Sequence, residues 1–288
     1  MPELPEVETV RRGLAPAMEG ATFASVEARR PDLRFPLPPN FRGRLQGMRV
    51  GALRRRGKYL IADLSSGESL ILHLGMTGRF TVSAAAGTVR PGDFYDGAAS
   101  DPVHDHVSFV MRRRNGVCRI DYNDPRRFGF MDLAPTTGLD GSRHFIGMGP
   151  EPMGPEFTPH VLKLALSDRS APIKAALLDQ GVVAGLGNIY ACEALFRSKI
   201  SPRRRARSLS AARTALLHDA IRQVLAEAIE AGGSTLRDFA ASDGAPGGFQ
   251  DRFQVYGREG EPCPCCAAPI RRLAQSGRST FYCGRCQR

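Results

Sequence analysis

Cys263-Pro264-Cys265-Cys266 and, sixteen residues later, Cys283-Gly284-Arg285-Cys286 impose a fold on the C-terminal segment of this chain. Two cysteines separated by two residues can bind one side of a tetrahedral ion, and four thiolates are a ligand set of structural zinc. A disulfide framework is the less favoured alternative, because the chain shows no sign of an oxidising compartment. We therefore predict one structural zinc bound by four of the five cysteines, with Cys265 as a bystander: Cys263, Cys266, Cys283 and Cys286.

Length and composition restrict the class of protein. The 288 residues exceed the usual size of one domain, so we expect two domains, or two domains and a small appendage. A hydrophobic fraction of 42% with 24% charged residues is typical of globular proteins and excludes fibrous or disordered classes. No uncharged apolar stretch of about 18 residues is present, and the acidic N-terminus lacks the apolar region of a secretory signal. We expect a cytoplasmic protein.

The charge indicates the class of partner. Forty basic residues against 29 acidic ones give a net charge of +11 and a pI near 9.8. Such an excess favours nucleic acid or another polyanion as the partner.

The hydrophobic periodicity predicts an α+β chain. A short helix over 2–17 is followed by β-like runs from about Thr22 to Asp132, which are typical of a β-sandwich or barrel. Residues 134–160 are rich in Pro and Gly and indicate a linker. Helical spacing then predicts four helices. The expected strands are 50–55, 59–64, 69–74, 106–111, 117–122 and 128–133, and the expected helices are 161–166, 172–178, 188–198 and about 209–228.

Two further motifs are each compatible with nucleic-acid binding or with an ordinary structural role. In the segment 181–190, glycines precede Asn188, which suits a helix N-cap beside an anion site; a tight interhelical turn is the alternative. The segment 124–129 places two arginines and a phenylalanine in one turn, which can fill a hole in a base stack or be an ordinary turn. Met76 would by composition alone be a core residue.

The N-terminus offers a nucleophile. If Met1 is removed, Pro2 carries a secondary α-amine, and a typical α-amino group titrates at roughly 7.7–8.0. Such an amine can attack a sugar C1′ and form an iminium, with Glu3 beside it as a proton donor or acceptor.

These motifs occur together in one known family. From residue 2 to the last cysteines, the chain resembles bacterial formamidopyrimidine-DNA glycosylase in order and over almost its full length. The motifs that carry the resemblance are Pro2–Leu14, Arg56–Leu60, His73–Met76, His104–His106, Asp124–Gly129, Ile173-Lys174, Leu178–Gln180, Gly187–Ala191, Val255–Arg258 and Thr280–Cys283.

The resemblance implies a domain order. Residues 1–134 would form a catalytic β-sandwich with its leading helix, followed by a linker over 135–160. Residues 161–250 would form a helix–two-turn–helix DNA-binding domain, and 251–288 a zinc β-hairpin.

The resemblance also implies roles. Pro2 would be the Schiff-base nucleophile and Glu3 the proton donor for base release, while Lys58 and Arg278 would serve β- and δ-elimination. Glu6 would line the lesion pocket. The DNA contacts would be His73, Met76, His104, Arg126, Phe128, Lys174 and Asn188; among them, Met76, Arg126 and Phe128 would enter the gap left by the flipped nucleotide. Arg169 would replace a basic contact that the family usually has at the position of Ser170.

The function implied is therefore that of a monomeric, bifunctional glycosylase and abasic-site lyase acting on oxidised purines in double-stranded DNA. One alternative is the related endonuclease VIII type, which prefers oxidised pyrimidines. Leu4, Met76 and the pair Arg126 and Phe128 favour the first interpretation. A non-catalytic DNA-binding protein is the other alternative. The presence of Pro2, Glu3 and Lys58 argues against it.

Overall fold

The computed structural model describes residues 2–85, 87–92, 101–114, 116–234 and 248–288. The chain divides into two compact units, the first formed by Met1–Ile146 with Gly232–Gly248 and the second by Gly147–Ala231 with Phe249–Arg288. The segment 161–250, predicted as one helical domain, thus contributes to both units. Within the described ranges no helix has the length and apolar character needed to cross a membrane.

The first unit begins with helix α1, Leu4–Met18. Val7, Val10 and Leu14 are almost completely buried, as their spacing predicts for a helix with one apolar face. The helix ends before Gly20, whose positive φ of 76° allows the chain to turn into the first strand.

Two antiparallel sheets make up most of this unit and confirm the predicted sandwich. Of the described strands, one sheet has the order β1-β7-β8-β5-β6 and the other the order β2-β3-β4-β9. A short helix, α2 (Phe41–Leu45), follows β1. The strands are β1 Thr22–Ala28, β2 Val50–Arg56, β3 Tyr59–Leu64, β4 Glu68–His73, β5 Arg79–Ala84, β6 Gly87–Val89, β7 Asp105–Arg113, β8 Gly116–Asn123 and β9 Phe130–Pro135.

Two connections pass from one sheet to the other side by side. The β4–β5 connection leaves the four-stranded sheet, and the β8–β9 connection returns to it. Because β4 pairs with β9 and β5 pairs with β8, both connections lie at the same end of the sandwich. This topology brings residues 74–78 next to residues 124–129.

The second unit contains the predicted helices and a C-terminal hairpin. Side chains of Thr158 and Ser210 cap two of the helices by accepting backbone N–H bonds. The elements are α3 Pro159–Ser167, α4 Ile173–Leu177, α5 Asn188–Arg197, α6 Ala211–Glu230, β10 Ile270–Gln275 and β11 Arg278–Cys283.

One expected helix cap is corrected by the structure. Gly187, not Asn188, is the N-cap of α5, and Asn188 is the first helical residue. Its side-chain amide instead donates to the carbonyl oxygen of Ser279, 2.9 Å away in β11.

A buried carboxylate joins α5 to the segment that precedes the cysteines. Glu193 is fully buried and accepts backbone N–H bonds from Gln254, Val255 and Tyr256 at 2.9–3.2 Å. Burial raises the pKa of the Glu193 carboxyl above its ordinary value, against the lowering effect of these bonds. The sequence pattern predicts a short strand over 253–255, but the segment that Glu193 holds forms bends and a turn.

Candidate functional site

The N-terminal residues are held at the start of α1. Pro2, Glu3 and Glu6 are buried. One carboxylate oxygen of Glu6 accepts the Glu3 backbone N–H at 2.9 Å. The other accepts the backbone N–H and the hydroxyl of Ser234 at 2.8 and 3.0 Å. Glu6 therefore connects the predicted catalytic end of the chain to a residue 228 positions away, a partner that local sequence could not reveal.

Lys58 lies in the turn between β2 and β3 and is only 7% exposed. Gly57 precedes it with a positive φ of 55°, which favours glycine at this tight turn. The charge of Lys58 acts on His73 at the end of β4, since these two residues flank neighbouring strands of one sheet.

His73 is fixed in orientation and protonation. Its ring stacks on Phe130 with 5.2 Å between centroids and 11° between planes. Burial, together with the charges of Lys58 and Arg34, lowers the pKa of His73 to about 4. The imidazole is therefore neutral at pH 7, and because its Nδ1 accepts the Gly75 N–H at 3.0 Å, its proton resides on Nε2. Nε2 is thus a donor suited to a phosphate oxygen.

The three predicted gap-filling side chains lie together in the first unit. Met76 is 37% exposed and Phe128 is 40% exposed. Met76 is therefore not the core residue that composition alone indicates. The guanidinium of Arg126 lies over the Phe128 ring, 4.6 Å from its centroid. All three line a cleft of about 550 Å³, to which Arg34 and Arg127 add positive charge. Arg34 is not among the predicted site residues, because no recognisable motif surrounds it.

His104 lies in a short turn before β7, beside His106 with 6.3 Å between ring centroids. It is partly exposed, as a DNA contact requires.

The predicted DNA contacts of the second unit differ in accessibility. Lys174 is fully buried, and its ammonium lies 3.4 Å from the Ser279 carbonyl oxygen, which Asn188 also binds. Arg169 forms an ion pair with Asp179 at 2.6 Å. Arg278 is exposed at the beginning of β11. Contacts of Lys174 and Arg169 with DNA stay predictions; the burial of Lys174 favours an internal role for that residue, whereas the ion pair of Arg169 is partly exposed.

The four predicted cysteines form a compact cluster. Their sulfur atoms all lie within 4.8 Å of one another, with 3.9 Å between Cys263 and Cys286 and 3.5 Å between Cys266 and Cys283. A tetrahedral zinc with Zn–S bonds of about 2.3 Å requires sulfurs about 3.8 Å apart. The residues therefore fit one structural zinc, while Cys265 is exposed and outside the cluster, as predicted.

Comparison with known proteins identifies the family. Three family models match: the formamidopyrimidine-DNA glycosylase N-terminal domain over residues 1–131, the H2TH domain of the same enzymes over 148–240, and a zinc finger found in FPG and IleRS over 260–288. The chain belongs to the formamidopyrimidine-DNA glycosylase family.

Individual relatives agree over the full length. The formamidopyrimidine-DNA glycosylase of Ruegeria pomeroyi is 57% identical, and the match covers 100% of both chains. The crystal structure of the MutM (FPG) protein from Thermus thermophilus matches with a TM-score of 0.82 and 40% identity, covering 99% of this chain and 98% of that one. A structure of MutM with DNA containing carbocyclic 8-oxo-G matches with a TM-score of 0.84 and 35% identity, covering 99% of each chain. Family membership confirms the resemblance seen in the sequence.

Proposed function

We propose that this chain is a bifunctional DNA glycosylase and abasic-site lyase that excises oxidised purines from double-stranded DNA. The observation that carries the proposal is the N-terminus, where Pro2 and Glu3 are buried at the start of α1 and Glu6 accepts the Glu3 backbone N–H. A nucleophile and a carboxyl group are thereby placed on one helix end and oriented before substrate binds.

The secondary amine of Pro2 explains why no lysine is needed for covalent catalysis. With Met1 removed, a fraction of the amine is neutral near pH 7, because a typical α-amino group has a pKa of roughly 7.7–8.0. Its nitrogen attacks C1′, and the bond from C1′ to the purine breaks as the base takes up a proton supplied by Glu3. Loss of the N–H proton and opening of the sugar ring at O4′ then leave an iminium.

The iminium makes the later strand-cleavage steps possible. It withdraws electrons from C2′, so a C2′ proton can leave and the C3′–O bond to the 3′ phosphate breaks. In this scheme Lys58 is the proton donor of β-elimination, and Arg278 serves the δ-elimination that breaks the bond to the 5′ phosphate. Water releases the sugar fragment from Pro2.

The cleft around Met76, Arg126 and Phe128 supports duplex DNA as the substrate. The target base must leave the stack before C1′ can be reached, and the vacancy must be filled or the base returns. An exposed thioether and an aromatic ring can replace lost stacking, while Arg126 can donate to the orphaned cytosine. Neutral His73 and partly exposed His104 would contact phosphates. We propose that the protein acts as a monomer, in the cytoplasm at the nucleoid.

Borohydride trapping on a duplex with 8-oxoguanine opposite cytosine tests the proposal. Protein with a processed N-terminus should form a covalent complex, and protein with an N-terminal tag should not, although both should bind DNA in a salt-sensitive manner. A C-terminally tagged protein is the matched control and should trap normally.

Three outcomes would overturn the proposal. Equal trapping by the N-terminally tagged protein would remove Pro2 as nucleophile. Faster excision of an oxidised pyrimidine than of 8-oxoguanine would favour the endonuclease VIII type, and binding without any excision would favour a non-catalytic protein.

A further inference from the structure

Asp124 is fully buried at the point where the two connections between the sheets meet. We propose that Asp124 is a positioning residue that locks the β4–β5 and β8–β9 connections into one rigid wedge, so that Met76, Arg126 and Phe128 face DNA as a preassembled unit. The inference rests on the proposed gap-filling function of those three side chains. Asp124 itself cannot touch DNA, because no part of it is exposed.

The carboxylate of Asp124 joins both connections directly. Its Oδ1 accepts the hydroxyl of Thr77, which follows Met76 in the β4–β5 connection. Its Oδ2 accepts the backbone N–H of Gly129, which follows Phe128, at 2.8 Å, and the hydroxyl of Tyr122 at 3.2 Å. One side chain therefore fixes the residue after Met76 and the residue after Phe128. We call these hydrogen bonds of Asp124 the lock.

Thr77 also connects Asp124 to Arg126. Its hydroxyl oxygen, whose proton is donated to Asp124, accepts the backbone N–H of Arg126 at 3.3 Å. The base of the turn is held as well, since the Asp124 carbonyl oxygen is bound by His106 Nε2 at 3.0 Å and by the Arg127 N–H at 3.1 Å. All three gap-filling residues are thus adjacent to a group in this network or belong to it.

The two carboxylate oxygens of Asp124 match the donors around them. Three donors point at the two oxygens of Asp124, and a carboxylate offers only acceptors. A substitution that removes both oxygens, as in Asp124→Ala, would leave these three donors without their acceptor. A buried polar network that loses one partner leaves other groups unsatisfied, which magnifies the effect.

Two glycines show how closely the connections pack. A Cβ at Gly75 would overlap the carbonyl carbon of Phe128, and a Cβ at Gly129 would overlap the Tyr122 hydroxyl. Gly75 also has a positive φ of 64°. The two backbones are in direct contact, so a displacement of one connection is transmitted to the other.

Preassembly has a kinetic consequence. Backbone segments that are fixed before DNA binds need not lose conformational freedom at the moment the base leaves the stack. Loss of the lock should therefore slow the step in which the base is extruded and replaced. It should affect an abasic site much less, since no base has to be extruded there.

The test compares Thr77→Val with Ser108→Ala. Ser108 is a matched control because its buried hydroxyl also donates to a carboxylate, that of Asp121, within one sheet of the same sandwich, and this bond does not involve Thr77 or Asp124. Single-turnover excision of 8-oxoguanine from a duplex and cleavage of a preformed abasic site are measured below the melting temperature of each variant. We expect Thr77→Val to reduce the ratio of the excision rate to the abasic-site cleavage rate by about ten-fold or more. This is the size expected for a lost hydrogen bond to a carboxylate.

Further variants keep the test decisive. Thr77→Ser retains the hydroxyl and should keep the ratio of the unmodified protein, and Asp124→Ala should reduce it as Thr77→Val does. Ser108→Ala should leave the ratio unchanged. An unchanged ratio in Thr77→Val, or an equal loss in Ser108→Ala, would contradict the proposed positioning role of Asp124.

Phe128→Ala separates this inference from the proposed function. If Phe128→Ala lowers the ratio while Thr77→Val does not, the gap-filling function is supported and the positioning role of Asp124 is wrong. If neither variant lowers it, the gap-filling function itself fails.

Discussion

The side-chain amide of Asn188 and the carbonyl oxygen of Ser279 are 2.9 Å apart, which fixes the first turn of α5 to strand β11. The ammonium of Lys174 approaches the same oxygen at 3.4 Å. Ser279 directly follows Arg278, the residue that we propose for δ-elimination. Two side chains of the helical region therefore hold the strand that presents Arg278.

We expect Lys174→Met to lower the thermal stability without changing the salt dependence of DNA binding. A lysine that neutralises a phosphate contributes about 0.9 to the slope of log K against log salt, whereas a fully buried lysine contributes nothing to it. Binding titrations at four salt concentrations and a thermal melt measure both effects. Lys199→Met, at an exposed position of the same unit, is the control and should leave the melt unchanged. If the salt slope of Lys174→Met is smaller by about one, the predicted phosphate contact of Lys174 is supported instead.

Zinc should be required for the order of the C-terminal hairpin, because the unfolded chain has no preformed site and metal binding is therefore coupled to folding. Cys283→Ser removes a fully buried ligand and should lose both the metal and most of the DNA affinity. Metal content by mass spectrometry and a binding titration measure the two losses. Cys265→Ser should retain one zinc per chain; if it does not, the ligand assignment is wrong.

His73 should make the first unit sensitive to acid. Its folded-state pKa of about 4 lies below the ordinary value of 6.5, so between these values the unfolded chain binds a proton that the folded chain excludes. The contribution of this group to stability is therefore lost as the pH falls from about 6.5 to about 4, by about 1–3 kcal/mol in total.

Urea unfolding at pH 7 and at pH 4.5 measures this effect. The loss of unfolding free energy between the two pH values should be smaller in His73→Gln than in the unmodified protein. The exposed His160 is the control, and His160→Gln should lose as much as the unmodified protein. An identical loss in His73→Gln would show that His73 does not titrate in this way.

Phe128→Ala should impair excision without much loss of stability. The ring is 40% exposed, so its truncation should cost well below the roughly 3–5 kcal/mol of a buried phenylalanine. Phe109→Ala, at a buried position of the sandwich core, should show that full cost in a thermal melt. Single-turnover rates should fall more for 8-oxoguanine than for an abasic site. A large drop in melting temperature with normal excision would make Phe128 a core residue.

The local pattern of the chain predicted most of the elements and the metal ligands. The strand expected over 59–64 is β3 with the same bounds, and the first helix differs from its prediction by two residues at the start and one at the end. These features depend on periodicity and spacing, which short segments carry by themselves. Strand β5, Arg79–Ala84, was not among the expected strands, because only two of its six residues, Phe80 and Val82, are large and apolar.

The polar contacts that hold the candidate site became visible only in the tertiary structure. Thr77 and Asp124 are 47 positions apart, and Lys174 and Ser279 are 105 positions apart. Whether a polar side chain is exposed or serves as a buried partner depends on which distant strand or helix packs against it, and no local pattern encodes that choice. The sequence by itself thus determined the family, the zinc ligands and the nucleophile to be tested. The tertiary structure decided that Lys174 points inward, that Met76 and Phe128 are exposed, and that Asp124 connects the segments that carry them.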